Sequence, residues 1–134
     1  MKLPISELKG VTAAVGEKLL GAGLKDSDKL LAAAGPAQAR KELATQLNID
    51  ERVLLALANR ADLARLRGVG RVFSDLLAFA GLDTVVELAQ RVPANLFTKL
   101  GQVAADHHAK RLPRLADVEN WVSQAKALER RVYH

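Results

Sequence analysis

The sequence predicts an all-α fold in which two tandem helical repeats pack as one pseudo-symmetric domain over residues 1–134. Apolar residues recur at helical spacing between glycines, prolines and capping residues. No run alternates apolar and polar residues as a half-buried strand does, and no hairpin-turn dipeptide occurs. A pattern in residues 1–62 also returns in residues 63–134, which indicates an internal repeat.

Eight residues of the first repeat return unchanged in the second at one constant offset, without a gap. The matched pairs are Leu8/Leu66, Gly10/Gly68, Val11/Val69, Leu19/Leu77, Ala22/Ala80, Gly23/Gly81, Leu24/Leu82 and Leu30/Leu88. Chance similarity between two helices rich in leucine and alanine would rarely give this register. We therefore expect the two halves to share one architecture.

Local signals predict the helices of the first repeat. Thr12 is expected to cap a helix that ends at Gly23. Its predicted apolar face holds Val15, Leu19 and Leu20. A second helix begins at Asp26 or Ser27, and Pro36 takes the first position of a third.

A linking helix is predicted between the repeats, in place of a flexible linker. The third helix runs to about Leu47, and Asp50 caps the linking helix, which leads through Asp62 into the second repeat. Its apolar residues at helical spacing are Leu54, Leu57, Ala58 and Ala61.

The second repeat carries its own start and stop signals. Gly81 is expected to end the helix that begins at Arg71, and residues 84–87 match a capping box formed by Thr84 and Glu87. Pro93 opens a further helix, and Pro113 marks the boundary before the last one. The predicted core positions are Phe73, Phe79, Leu96, Phe97, Leu100, Val118, Trp121, Val122 and Ala125.

Residues 66–70 resemble the turn of a helix-hairpin-helix motif. Gly68 and Gly70 permit a tight turn, and Val69 between them is expected to point inward. Backbone N–H groups at the start of the next helix can hold a phosphate oxygen. The predicted nucleic-acid-binding residues are Arg65, Arg67, Gly68, Val69, Gly70 and Arg71, with Lys9, Gly10, Lys110 and Arg111 as secondary candidates.

The first hairpin, residues 8–12, is the weaker candidate, because Thr12 replaces the second glycine and Glu7 stands where the second copy has Arg65. Both hairpins also have a purely structural interpretation. In it, the glycines only let two helices approach closely, and the arginines form a solvated face.

Charge and composition limit the classes of function. The net charge is +5, and residues 63–134 carry most of it, with 11 Lys and Arg against 7 Asp and Glu. Such a surface is compatible with phosphate polymers. The chain has no cysteine, which excludes disulfides, thiolate metal sites and cysteine nucleophiles.

No enzyme motif is present. Phe73 occupies the third glycine position of a dinucleotide fingerprint, and Gly23 is not followed by the Lys-Ser or Lys-Thr pair of a P-loop. His107 and His108 are expected to be exposed loop residues. We expect no catalytic residue, no cofactor and no metal site. The longest apolar run, residues 53–58, is too short to span a bilayer, and the expected location is the cytoplasm.

Several stretches carry a family resemblance, among them Asn59-Arg60-Ala61-Asp62-Leu63, Arg67-Gly68-Val69-Gly70, Ala80-Gly81-Leu82-Asp83-Thr84 and Trp121-Val122-Ser123-Gln124-Ala125. They resemble the bacterial family catalogued as domain of unknown function 4332. The resemblance implies a helix-hairpin-helix-like, SAM-like fold, related to modules of DNA-repair proteins and polymerases. The sequence departs from the family at Leu57, where tryptophan is common, and at Arg114, where a capping serine is usual.

The leading hypothesis is a non-catalytic module that binds the DNA phosphate backbone without sequence specificity. The alternative is a protein-interaction scaffold in which the hairpins are structural. Salt dependence separates the two hypotheses, because phosphate contacts release counterions and apolar docking does not.

Overall fold

The computed structural model describes residues 2–134, which form eight α-helices after a short 3₁₀-helix, Ile5–Glu7. The helices are α1 (Ala13–Gly21), α2 (Ser27–Ala34), α3 (Ala37–Leu47), α4 (Glu51–Leu63), α5 (Arg71–Phe79), α6 (Val85–Ala89), α7 (Pro93–Asp106) and α8 (Leu115–Ala127). The described residues contain no strand, only an isolated bridge between Pro4 and Asp26. The predicted all-α class is confirmed.

Two apolar clusters form the interior. In the first, α2 packs on α3 and α4, and the fully buried leucines are Leu19, Leu30, Leu54 and Leu57. In the second, α8 packs on α6 and α7, around buried residues that include Val69, Leu77, Leu88, Leu96, Leu100 and Trp121. Burial of these side chains supplies most of the driving force for folding.

Several predicted helix ends are confirmed. Thr12, Asp26 and Asp50 each accept a hydrogen bond from a backbone N–H in the first turn of their helix, at 3.2, 2.9 and 2.8 Å. Gly23 and Gly81 follow the C-caps of α1 and α5 in the left-handed conformation. These helix limits are therefore encoded locally.

Other local predictions are wrong. Leu20 is 50% exposed and Phe97 is 37% exposed, so neither is a core residue. Pro36 is the N-cap of α3 and not its first helical residue, with extended backbone (φ −65°, ψ 134°). The adjacent Leu19 and Leu96 are fully buried, so the buried face of each helix is narrower than periodicity predicted.

The capping box predicted at Thr84 is also wrong. Thr84 is the N-cap of α6, but its side chain makes no capping hydrogen bond. The N–H of Val85 instead donates to Oδ2 of Asp62, at 2.9 Å. Asp62 lies in α4, and its side chain is 1% exposed. Its other oxygen accepts a hydrogen bond from Arg65, at 2.8 Å. One carboxylate thus joins the end of α4 to the start of α6.

Residues 129–133, here called the strap, return from the second cluster to the first. Arg65 donates to the carbonyl of Glu129 at 2.9 Å, and the Tyr133 N–H donates to the carbonyl of Gly35 at 2.9 Å. Val132 is buried in the first cluster. A Cβ added at Gly35 would collide with the Arg131 carbonyl, so glycine is required there by close approach.

Helix length bears on membrane insertion. A spanning helix needs about 20 apolar residues. Within residues 2–134, no helix has both the length and the apolar character to cross a bilayer.

We expect Asp62→Ala to lower the free energy of unfolding by about 3 kcal/mol, since Val85 N–H and the Arg65 guanidinium would lose a shared buried acceptor. Chemical denaturation measures the change. Asp26→Ala, which removes only a local N-cap, is the control and should cost about 1 kcal/mol. Equal losses in the two variants would contradict a special role for Asp62.

Candidate nucleic-acid interface

The second hairpin is a tight turn before α5. Gly68 has φ +86°, a conformation that strains any residue with a side chain. Val69 is fully buried, as predicted, and its N–H donates to the Leu66 carbonyl at 3.2 Å. Gly70 has φ −93° and ψ −159°, which is ordinary extended backbone. The prediction that both glycines need special conformations is therefore right for Gly68 and wrong for Gly70.

Helix α8 holds this hairpin in place. The side-chain amide of Gln124 accepts a hydrogen bond from the Arg67 N–H at 2.8 Å and donates to the Arg67 carbonyl at 2.9 Å. A Cβ added at Gly68 would lie 3.5 Å from Nε1 of Trp121. The backbone of the turn is thus fixed from two sides. Sequence reasoning did not assign this role to Gln124, because the partner is 57 residues away.

A cleft of about 400 Å³ opens beside the hairpin. Three arginines line it, Arg67 from the turn and Arg111 and Arg114 from the segment before α8. Phe73 and Trp121 form its apolar floor, with ring centroids 5.2 Å apart. The structure therefore places three arginines next to Gly68, the position of this turn that requires glycine.

The three arginines of this cleft differ in the contacts that they make within the protein. The Arg111 guanidinium lies 4.8 Å from the centroid of the Phe73 ring, a cation–π arrangement. The Arg114 side chain is 82% exposed, and its Nη2 lies 3.5 Å from Oδ1 of Asp117. Within the part of the chain that the structure describes, neither Arg67 nor Arg111 is ion-paired. These two guanidiniums are free to neutralise an anion.

Asp117 is the one carboxylate lining the cleft. Its pKa is lowered from the ordinary value because the Arg114 N–H donates to it at 2.9 Å, with smaller contributions from the guanidiniums of Arg114 and Arg111. The carboxylate therefore stays charged at neutral pH and offsets part of the positive charge around it.

The predicted binding residues are not all brought together. Arg65 is 13% exposed and donates to Asp62 and to the Glu129 carbonyl, which leaves its guanidinium in a structural position. Arg71 is exposed at the start of α5, outside the cleft lining. Lys110 lines a separate pocket with Phe79 and His107. Arg114, which is not among the predicted binding residues, belongs to the cleft.

The first hairpin has a similar turn but different electrostatics. Gly10 is left-handed with φ +98°, and a cleft of about 470 Å³ beside it includes Lys9, Asp50 and Arg52. Arg52 donates to Asp50 at 3.0 Å. That hydrogen bond is the main reason that the pKa of the Asp50 carboxyl is lowered and that of Arg52 raised. These two charges largely cancel.

Lys9 is also engaged. Its Nζ lies 3.7 Å from the centroid of the Phe79 ring, and the His107 ring stacks on Phe79 at 3.9 Å. Two groups this close to one ring must occupy opposite faces. Lys9 therefore lies at the junction with the second half, and only Arg52 of the basic groups beside the first hairpin is ion-paired within the described residues.

No metal centre is found in the described residues, where His, Asp and Glu form no group of three or more suited to bind an ion. His107 and His108 are both exposed, as predicted. The aromatic contact of His107 with Phe79 accounts for its position.

Comparison with protein families gives one match. Residues 9–128 match the family described as "Domain of unknown function (DUF4332)". The chain belongs to this family. The matched range of this DUF4332 protein contains the second hairpin and all residues that line its cleft, whereas Leu8 of the first hairpin and Val132 lie outside it. No curated protein and no solved structure matches the chain.

We expect Gly68→Ala to lower the free energy of unfolding by about 1–2 kcal/mol, because alanine is strained at positive φ. Gly101→Ala is the control. Gly101 lies within α7, and a Cβ added there would enter open space. Alanine at this position should therefore raise stability by roughly 0.5–1 kcal/mol. Thermal melting of both variants tests this. A neutral Gly68→Ala would mean that the turn relaxes to another conformation.

Proposed function

We propose that this DUF4332 protein is a non-catalytic module of two tandem helix-hairpin-helix-like repeats, packed as one domain, that binds the DNA phosphate backbone through its second repeat. The observation that carries the proposal is the cleft, where Arg67, Arg111 and Arg114 surround a left-handed hairpin glycine. Contacts to phosphates position a protein on DNA without reading sequence.

Matched hydrogen bonds support the repeat. The Val11 N–H donates to Leu8, and the Val69 N–H donates to Leu66, both at 3.2 Å. Each following helix ends at a left-handed glycine, and the next residue donates its N–H five residues back, from Leu24 to Leu19 at 2.9 Å and from Leu82 to Leu77 at 3.0 Å. Each of these pairs keeps the constant offset seen in the sequence.

The helix behind each hairpin supports the same interpretation. A Cβ added at Gly10 would lie 3.4 Å from Cδ2 of Leu57, and one added at Gly68 would lie 3.5 Å from the Trp121 indole. Leu57 lies in α4 and Trp121 in α8. The two helices thus close their hairpins from equivalent sides, with one large side chain against each glycine.

Contacts between the halves support a single domain. Arg60 of α4 donates to the Ser74 carbonyl at 2.9 Å and to Asp75 at 2.8 Å, which ties α4 to α5. The Asp62 carboxylate and the strap add two further connections. A paired and partly buried Arg–Asp contact fixes orientation as well as distance.

The charge distribution favours binding at the second hairpin. Arg67 and Arg111 have no ion-pair partner among the described residues and can replace counterions on a phosphate chain, whereas Arg52 of the first hairpin is paired with Asp50. Arg71, exposed beside the turn, extends the basic surface. Arg65 is left out of this interface, because its guanidinium is paired in the interior.

We expect the double variant Arg67→Ala/Arg111→Ala to weaken binding to DNA of every sequence and to lower the slope of log affinity against log salt by about two. Fluorescence anisotropy with labelled DNA at two salt concentrations measures both quantities. The control is Lys25→Ala/Lys29→Ala, which removes the same charge from exposed positions of the first half. Lys9→Ala should retain most of the affinity.

Melting temperatures must show that each variant is folded. If the arginine variant keeps full affinity, or if the unmodified protein binds no DNA at low salt, the hairpins are structural. The protein-interaction scaffold would then replace the proposal.

We expect Asp117→Asn to tighten binding to duplex DNA by roughly two- to fivefold, because it removes a negative charge from beside the bound phosphates. Asparagine can still accept the hydrogen bond from the Arg114 N–H, so α8 keeps its start. Glu119→Gln, an equal charge change on an exposed residue outside the cleft lining, should have a smaller effect. Equal gains from both would show that only net charge matters.

A further inference from the structure

We infer that the second-hairpin cleft takes one nucleotide unit of a single strand, with its phosphate among Arg67, Arg111 and Arg114 and its sugar and base against Leu112. The inference rests on the proposed function and narrows the ligand from nucleic-acid backbone in general to an unpaired strand. The shared chemistry is a nucleoside phosphate, whether free or within a chain.

The shape of the site favours a whole nucleotide. The cleft volume of about 400 Å³ lies within the range of small-molecule sites, about 300–1,000 Å³, and far exceeds what one phosphate fills. A duplex presents phosphates on a stiff outer surface with its bases stacked inside. It can bring only a phosphate and a sugar edge to a recessed site, and most of the cleft would stay filled with water.

Leu112 supplies the apolar contact. Its side chain is 63% exposed, the largest exposed fraction among the big apolar residues that the structure describes. It lines the cleft, following Arg111 directly in the chain. Against a duplex, this side chain would face phosphates and water. Against a single strand, an unstacked base can cover it and remove apolar surface from water.

The polar lining also suits a nucleotide better than phosphate alone. Asp117 and Asn120 line the cleft together with the arginines. A phosphodiester has no N–H or O–H to donate to a carboxylate, but a base carries such donors. The Asn120 Oδ1 accepts from Gln124 at 2.6 Å, which leaves the amide NH₂ of Asn120 to donate.

The first hairpin shows that volume alone does not mark the site. Its cleft is of similar size, but Val53 and Ala56 take the places that Asp117 and Asn120 have in the second repeat. The large apolar residue exposed in its lining is Val53, at 36% against 63% for Leu112. Of the two hairpin clefts, the second therefore combines two arginines that lack an ion-pair partner among the described residues, polar groups at positions 117 and 120 and a largely exposed leucine.

Anisotropy titrations with a labelled oligothymidylate, and with its duplex on oligoadenylate of equal length, test the inference at one salt concentration. We expect the single strand to bind about tenfold more tightly than the duplex, and Leu112→Ala to lower single-strand affinity about fivefold without changing duplex affinity. The matched control is Leu20→Ala, which replaces another exposed leucine, in α1 and distant in sequence from Leu112. Unlabelled thymidine monophosphate should displace the single strand better than inorganic phosphate does.

Each outcome separates the inference of single-strand binding from the proposal of backbone binding. Equal affinity for both forms, or an unchanged affinity in Leu112→Ala, overturns the inference and leaves backbone binding intact. Loss of affinity in Arg67→Ala/Arg111→Ala for both forms supports backbone binding independently. Full single-strand affinity in that double variant overturns both proposals. Because Leu112 is largely exposed, its replacement is compatible with folding, and thermal melting verifies this.

Discussion

The buried carboxylate of Asp62 is the interaction on which the junction of the two halves depends. A carboxylate with 1% exposure must be fully paired. Its partners are the first N–H of α6 and the guanidinium of Arg65, which also reaches the Glu129 carbonyl. The helix start, the arginine and the strap are therefore positioned by one group. Because this pairing uses Arg65, the cations available to a ligand are those farther along the hairpin.

The cleft likewise depends on which of its polar groups already have partners within the protein. Gln124 satisfies both backbone groups of Arg67, so the turn is rigid while the Arg67 side chain remains unpaired. A rigid backbone loses little conformational entropy when an anion binds, so the entropy cost is limited to the side chains that become ordered. The first hairpin has the same left-handed glycine, but Asp50 neutralises its neighbour Arg52. Similar backbones thus support different surface chemistry, and the difference lies in a few side chains around each turn.

Sequence reasoning succeeded where a helix end depends on adjacent residues. The caps at Thr12 and Asp50 and the buried Val69 all follow from residues within one or two turns. It failed where the partner is distant. Thr84 and Glu87 fit a capping box, yet Thr84 makes no capping hydrogen bond, and the side chain that binds the start of α6 is a carboxylate 23 residues earlier. The candidate site combines both cases. Arg65 pairs with Asp62, three residues earlier on the same turn, a spacing that the sequence itself offers. Its second partner, the Glu129 carbonyl 64 residues away, is set by the tertiary structure.

The strap has a consequence for the order in which the protein is made. Val132 completes the first apolar cluster, whose other members end at Ala64, so the cluster lacks one wall until the entire second half has been synthesised. During translation the first four helices can form, but their exposed apolar surface stays uncovered while the second half leaves the ribosome. The first half of the chain is thus synthesised first, but its apolar cluster is completed last. A chaperone that binds apolar segments would therefore have the longest time to bind the first half of the nascent chain.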